Sequence, residues 1–106
     1  MREKIRNTIL DIAKREGIKI DKIILFGSRA RGEASEDSDW DILIVIDKAI
    51  EKNKKREFWY YFYSELRNKI PDHSFDIIIK DKKSYETEIM IVNTIANEAF
   101  TEGMKL

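Results

Sequence analysis

The 106-residue chain has no cysteine, one proline, one histidine and four glycines. Without cysteine there is no disulfide framework and no thiolate metal site. The single histidine, His73, has no second histidine or cysteine to join it, so a surface role is the simpler reading. Net charge is absent too, because 20 basic and 20 acidic residues cancel. A chain that grips long nucleic acid unaided carries a basic surplus, so extended nucleic acid is not the expected partner, although a local basic patch can sit inside a neutral total. No apolar run is long enough to span a bilayer, and Met1-Arg2-Glu3-Lys4 does not begin a signal peptide. The expectation is a cytoplasmic location and no membrane partner. The length leaves room for one domain, residues 1–106, with one modest core and no separate lobe to hold an acceptor.

What is present is a chain 42% apolar and 38% charged, enough hydrophobic material for a globular fold and a charge content that thermophilic proteins favour. Ile5, Ile9, Ile12 and Ala13 recur at helical spacing between Arg2 and Glu16, and Gly17 follows as a helix terminator. Three short aliphatic runs read as strands: Lys22 to Phe26, Asp41 to Ile46, and Phe75 to Ile79. Uninterrupted apolar strands mark a sheet covered on both faces. A charged stretch, Glu51 to Glu57, leads into an aromatic helix ending near Ile70, where Pro71 stops it. The spacing of Tyr85, Ile89, Val92, Ala96, Ala99 and Phe100 predicts one last helix from Lys83 to about Glu102, before Gly103. The expected class is α/β, in the order helix, strand, loop, strand, helix, strand, helix.

The window from Phe26 to Asp41 carries the chemistry. Gly27 closes a strand, and Ser28 follows where a helix or tight turn begins. A Gly-Ser at such a junction lets the backbone approach an anion, with N–H groups and a hydroxyl aimed at it. Alone this is a common turn dipeptide. Asp39 and Asp41 add weight, because residues two apart on a strand project from the same face. Two adjacent carboxylates repel unless a cation neutralises them, and hard oxygen ligands of this kind suit Mg²⁺ completed by phosphate oxygens and water.

Asp72, Asp76 and Asp81 compete for the place of a third acid. Asp76 alone heads an aliphatic run, where a carboxylate makes no sense as core. Beside Asp39 and Asp41 it can complete a site for two Mg²⁺ ions, roughly 3.5–4 Å apart, and serve as general base. If Gly27 at the end of one strand and Asp39 at the start of the next touch one triphosphate, those strands run antiparallel. The Asp76 strand then runs parallel to the Asp39 strand, which calls for a crossover through the aromatic helix, of right-handed sense.

The Gly-Ser-Arg-Ala-Arg-Gly…Ser-Asp-Trp-Asp window resembles the signature of the minimal nucleotidyltransferase (MNT) family, within the DNA polymerase β-like superfamily. The likeness extends to the aliphatic second strand, the Phe75–Asp76 strand and the closing helix. It implies a nucleotidyltransferase fold with a mixed three-stranded core sheet and flanking helices. It also implies Mg²⁺ dependence, and transfer of a nucleoside monophosphate with release of pyrophosphate. Carried over residue by residue, it makes Gly27 and Ser28 the phosphate turn, Asp39 and Asp41 metal ligands, and Asp76 the third carboxylate. Trp40 departs from the aliphatic residue usual there and faces away from the acids.

Arg29 and Arg31 suit phosphate by their planar forks, Arg29 more than Arg31. The alternative for both is an ion pair with Glu33, Glu36 or Asp37. In the run Phe58-Trp59-Tyr60-Tyr61-Phe62-Tyr63, helical geometry buries Phe58, Phe62 and Leu66, flanked by Trp59, Tyr63 and Ile70. It leaves Tyr60 and Tyr61 outside the core, where tyrosine suits an interface. Stand-alone MNT proteins resemble antitoxins paired with small helical HEPN-type ribonuclease toxins, so the leading reading is transfer of AMP from ATP to a toxin tyrosine. Two alternatives stay open: a nucleotidyltransferase acting on a small molecule or RNA end with another partner protein, and a non-catalytic antitoxin. Homo-oligomerisation is left open as well.

Overall fold

The structure is a computed structural model describing all 106 residues. In chain order it contains α1 (Arg2–Glu16), β1 (Ile20–Phe26), α2 (Ser28–Arg31), β2 (Trp40–Ile46), α3 (Lys52–Lys69), β3 (Phe75–Asp81), α4 (Lys82–Glu88), α5 (Ile95–Glu102) and β4 (Met104–Lys105). The sheet order is β3-β2-β1-β4. β1 and β2 are antiparallel, and β2 and β3 are parallel with α3 between them in the chain. This is the mixed α/β arrangement anticipated from the sequence, extended by one short edge strand.

The aliphatic run of β2 is explained by a sheet buried on both sides. Ile42, Ile44 and Ile46 pack with Ile5, Ile9 and Ile12 of α1 and with Phe62 and Leu66 of α3. Leu43 and Val45, of opposite parity, face Tyr85 of α4 and Ala96 and Ala99 of α5. Successive strand residues point to opposite faces, so a strand covered twice has no position for a polar side chain. At the end of α1, Gly17 takes the left-handed conformation (φ 70°) that releases Ile18 into the core.

Two expectations are corrected. The last helix is not continuous: it is broken between Glu88 and Ile95, where Asn93 adopts φ 71°. Thr94 caps α5 by accepting from the Asn97 N–H (3.0 Å) and donates its own hydroxyl proton to the carbonyls of Glu88 and Ile91. Thr94 satisfies the start of α5, and the left-handed Asn93 just before it breaks the helical path. Val92 and Phe100 therefore lie exposed, at 74% and 59%, instead of joining the buried stripe. Tyr61 is the second correction. Only Tyr60 stands clear of the core, whereas Tyr61 is half-buried against it and donates to Glu57.

β4 follows from Gly103. A Cβ there would overlap the Ala99 carbonyl and the Ile24 side chain, so only glycine lets the chain turn back along β1. Met104 and Lys105 pair with Leu25 and Ile24, and the Leu106 N–H reaches the Ile23 carbonyl at 2.9 Å.

The break in the last helix makes two phenylalanines a test. Phe62→Ala is expected to cost about 3–5 kcal/mol by emptying a sealed core position, while Phe100→Ala should change stability by less than about 0.5 kcal/mol. Urea denaturation of the two variants checks this.

Candidate functional site

The site lies where the β1 carboxyl end meets the amino ends of β2 and β3. Antiparallel pairing sets Phe26, the residue before Gly27, opposite Asp41. Parallel pairing sets Asp41 directly opposite Asp76 and Trp40 opposite Phe75. Register alone thus brings the phosphate-turn candidate and two carboxylates to one edge. Asp39 lies one residue before β2 and is exposed, as is Asp76, while Asp41 is half-buried.

Gly27 makes the close approach possible. Its backbone, φ 73° and ψ −157°, is in a region that only glycine occupies freely, and a Cβ at this position would overlap the Asp41 carboxylate. Ser28 opens the single turn of α2, and the Ala30 and Arg31 amides return to the Gly27 carbonyl. The first N–H groups of such a turn have no acceptor within it. Turn and carboxylate are in contact, so an anion drawn to the turn and a cation drawn to the acid would share one place.

The electrostatics set like charges close together. Partial burial pushes the Asp41 carboxyl above its ordinary value, and the charges of Asp76, Asp39 and Glu98 add to the rise, offset by Arg31. Like charges held together need an outside partner to be stable when ionised. No three of these side chains converge tightly enough to hold an ion by themselves. Mg²⁺ commonly binds through one or two carboxylates and takes the rest of its shell from substrate phosphates and water. The donor set fits the metal that the fold family implies.

The remaining sequence candidates fall in two places. Arg29 donates from Nε and Nη2 to the Ser38 carbonyl (3.1 and 2.8 Å) and from Nη2 to the Glu36 carbonyl (3.3 Å). Arg31 makes the ion pair with Glu33 that was its alternative (3.1 Å), and it also reaches Glu102 and Glu98 of α5 at 3.4 and 3.7 Å. Neither glutamate stands out in the sequence as a site residue, because both sit in a helix that gives no sign of lying beside Asp41. His73 is not the idle surface residue its isolation suggests. It is half-buried and accepts a hydrogen bond at Nδ1 from the Trp40 indole N–H (3.2 Å). Asp72 is an exposed residue of the preceding turn, and Asp81 caps α4 through the Ser84 N–H. Asp76 is thereby the acid that faces Asp41.

A mixed sheet with a Gly-Ser turn and carboxylates at one edge defines the nucleotidyltransferase class. Comparison with known proteins agrees: the family model described as "Polymerase beta, Nucleotidyltransferase" matches residues 7–101, and the chain belongs to that family. Three proteins of Methanocaldococcus jannaschii are similar, each named "Putative protein adenylyltransferase". One is 37% identical over 81 residues, covering 70% of this chain and 78% of the relative. The others are 69% identical over 29 residues and 57% identical over 28, matches that span only 29% and 28% of those relatives. Among solved structures, a toxin–antitoxin with AMP-PNP superposes with a TM-score of 0.59 at 20% identity, over 93% of this chain and 69% of that one. A mutant of the MntA–HpeT toxin–antitoxin does so with a TM-score of 0.57 at 21% identity, over 95% and 70%. At such identities the likeness establishes the fold.

Two variants probe this geometry. Gly27→Ala should destabilise the fold by about 1–3 kcal/mol, from its backbone conformation and from displacement of Asp41. Asp41→Asn should do the opposite in Mg²⁺-free buffer, raising the melting temperature at pH 7. The sign follows from linkage: a carboxyl raised in the folded state is a cost once ionised. The gain should hold above the folded-state value, shrink as pH falls through it, and vanish below the unfolded value. Melting curves at several pH values read both effects.

Proposed function

We propose that the chain transfers the adenylyl group of ATP to a hydroxyl of a protein docked against it, as the antitoxin of a toxin–antitoxin pair. The observation that carries this reading is the register match of Asp41 with Asp76 beside the Gly27–Ser28 turn. The protein-adenylyltransferase names of the relatives and the toxin–antitoxin origin of the structural neighbours support the donor and the type of partner. The favoured acceptor is a tyrosine of a small helical HEPN-type toxin.

In this reading Gly27 and Ser28, with Arg29 beside them, would receive the triphosphate, and Asp39, Asp41 and Asp76, together with phosphate oxygens and water, would hold two Mg²⁺ ions. When bound, the metal neutralises phosphate charge and makes the acceptor hydroxyl more acidic. The acceptor oxygen attacks the α-phosphorus and a new O–P bond forms. The bond from that phosphorus to the bridging oxygen breaks, pyrophosphate leaves, and Asp76 takes the hydroxyl proton. The docked protein presents the acceptor hydroxyl in line with the α-phosphorus, and that orientation supplies the rate advantage of proximity.

The test separates binding from transfer. In calorimetry, ATP affinity of the Asp39→Asn/Asp41→Asn double variant should fall to the level the unaltered protein shows in EDTA. Asp76→Asn should keep most of the affinity but lose transfer by about 10²–10⁴-fold, read as AMP added to the adjacent gene's product by mass spectrometry. Labelling of RNA with none on that partner would favour the RNA-end alternative. Tight partner binding with no labelling would favour a non-catalytic antitoxin.

A further inference from the structure

Trp40 is an unusual occupant for the position between two site carboxylates, and its surroundings give it work. The Arg29 guanidinium lies over its ring, 4.1 Å from the centroid, and the same guanidinium holds the carbonyls of Ser38 and Glu36. Ser38 immediately precedes Asp39. On the other side, the indole N–H donates to Nδ1 of His73 at 3.2 Å, with the rings edge to face (6.1 Å, 76°). His73 stands three residues before Asp76, and the Trp40 amide bonds the Ser74 carbonyl in the same connection at 2.9 Å. Because Nδ1 accepts, the ring proton lies on Nε2.

The three segments that bear the candidate site residues are otherwise separate in the chain: the turn at Gly27–Ser28, the loop that ends in Asp39 and Asp41, and the connection that delivers Asp76. We propose that Arg29, Trp40 and His73 form a positioning stack that locks these three segments into one unit. A cation over an indole face and a hydrogen bond from the indole edge are directional contacts, so the stack fixes orientation where an aliphatic residue at position 40 would supply only packing. It gives Arg29 a structural task in addition to its proposed place at the phosphates, since two of its nitrogens hold the Asp39 loop.

This inference rests on the nucleotide-binding reading for its consequence but not for its existence, and the experiment keeps the two apart. Amide hydrogen exchange is measured by mass spectrometry on the ligand-free protein and on His73→Leu, His73→Gln and Arg29→Lys. The stack requires coupling across Trp40: His73→Leu should speed exchange in residues 36–41, and Arg29→Lys should speed it in residues 72–76. His73→Gln, which restores an acceptor for the indole N–H, should exchange like the unaltered chain. In calorimetry, His73→Leu should weaken binding of ATP with Mg²⁺ by about tenfold or more, as loss of supporting contacts behind metal ligands does, and His73→Gln should recover most of it. Faster exchange confined to each variant's own segment would overturn the stack, and so would a His73→Leu affinity equal to that of the unaltered chain. If the unaltered protein binds no ATP with Mg²⁺, the nucleotide reading fails, and the exchange data still decide the stack.

Discussion

Asp41 and Asp76 repel each other, and the chain is built to hold them together. They face one another because β2 and β3 pair in parallel with those two residues in register. A slip of one residue in that pairing would send one carboxylate to the opposite face of the sheet. Register is secured by burial on both sides of β2: Ile42, Ile44 and Ile46 belong to one hydrophobic layer and Leu43 and Val45 to the other. A core with no tolerance for slippage is what keeps two like charges adjacent. Gly27 completes the constraint, since any side chain there would occupy the space of the Asp41 carboxylate.

Much of this was legible because it depends on short-range rules. The alternation of strand side chains puts Asp39 and Asp41 on one side from their spacing alone, and Asp76 stands out as a charge at the head of Ile77-Ile78-Ile79. The antiparallel and parallel pairings followed from requiring Gly27 and the acids to meet. What escaped was set by contacts distant in sequence or by signals weaker than the hydrophobic spacing. Ile89, Val92, Ala96 and Ala99 keep helical spacing across Asn93–Thr94, so the cap at Thr94 was hidden by an intact pattern. β4 is two residues long and has no alternation to read. His73 looked idle because its partner Trp40 lies 33 positions away, and Glu98 and Glu102 reach the site only through the fold of α5 over β1.

The same features divide the molecule into a rigid frame and an open working edge. The core residues of α1, α3 and the sheet are sealed from solvent, whereas Asp39 and Asp76 remain exposed. Arg31 ties α2 to α5 through Glu98 and Glu102, and the Arg29–Trp40–His73 contacts tie the loop to the approach of β3. An open edge of this kind leaves Asp39 and Asp76 accessible to a bound ligand or a docked molecule.

The central claim is that the carboxylate edge is an unfavourable charge arrangement that a cation relieves. It is tested most directly by following the Asp41 carboxyl carbon by NMR through a pH titration, first without metal and then with Mg²⁺ and a non-hydrolysable ATP analogue. The account predicts titration above the ordinary aspartate range without metal, and a clear fall when Mg²⁺ and the analogue are present. Titration at the ordinary value that Mg²⁺ and nucleotide leave unmoved would contradict it.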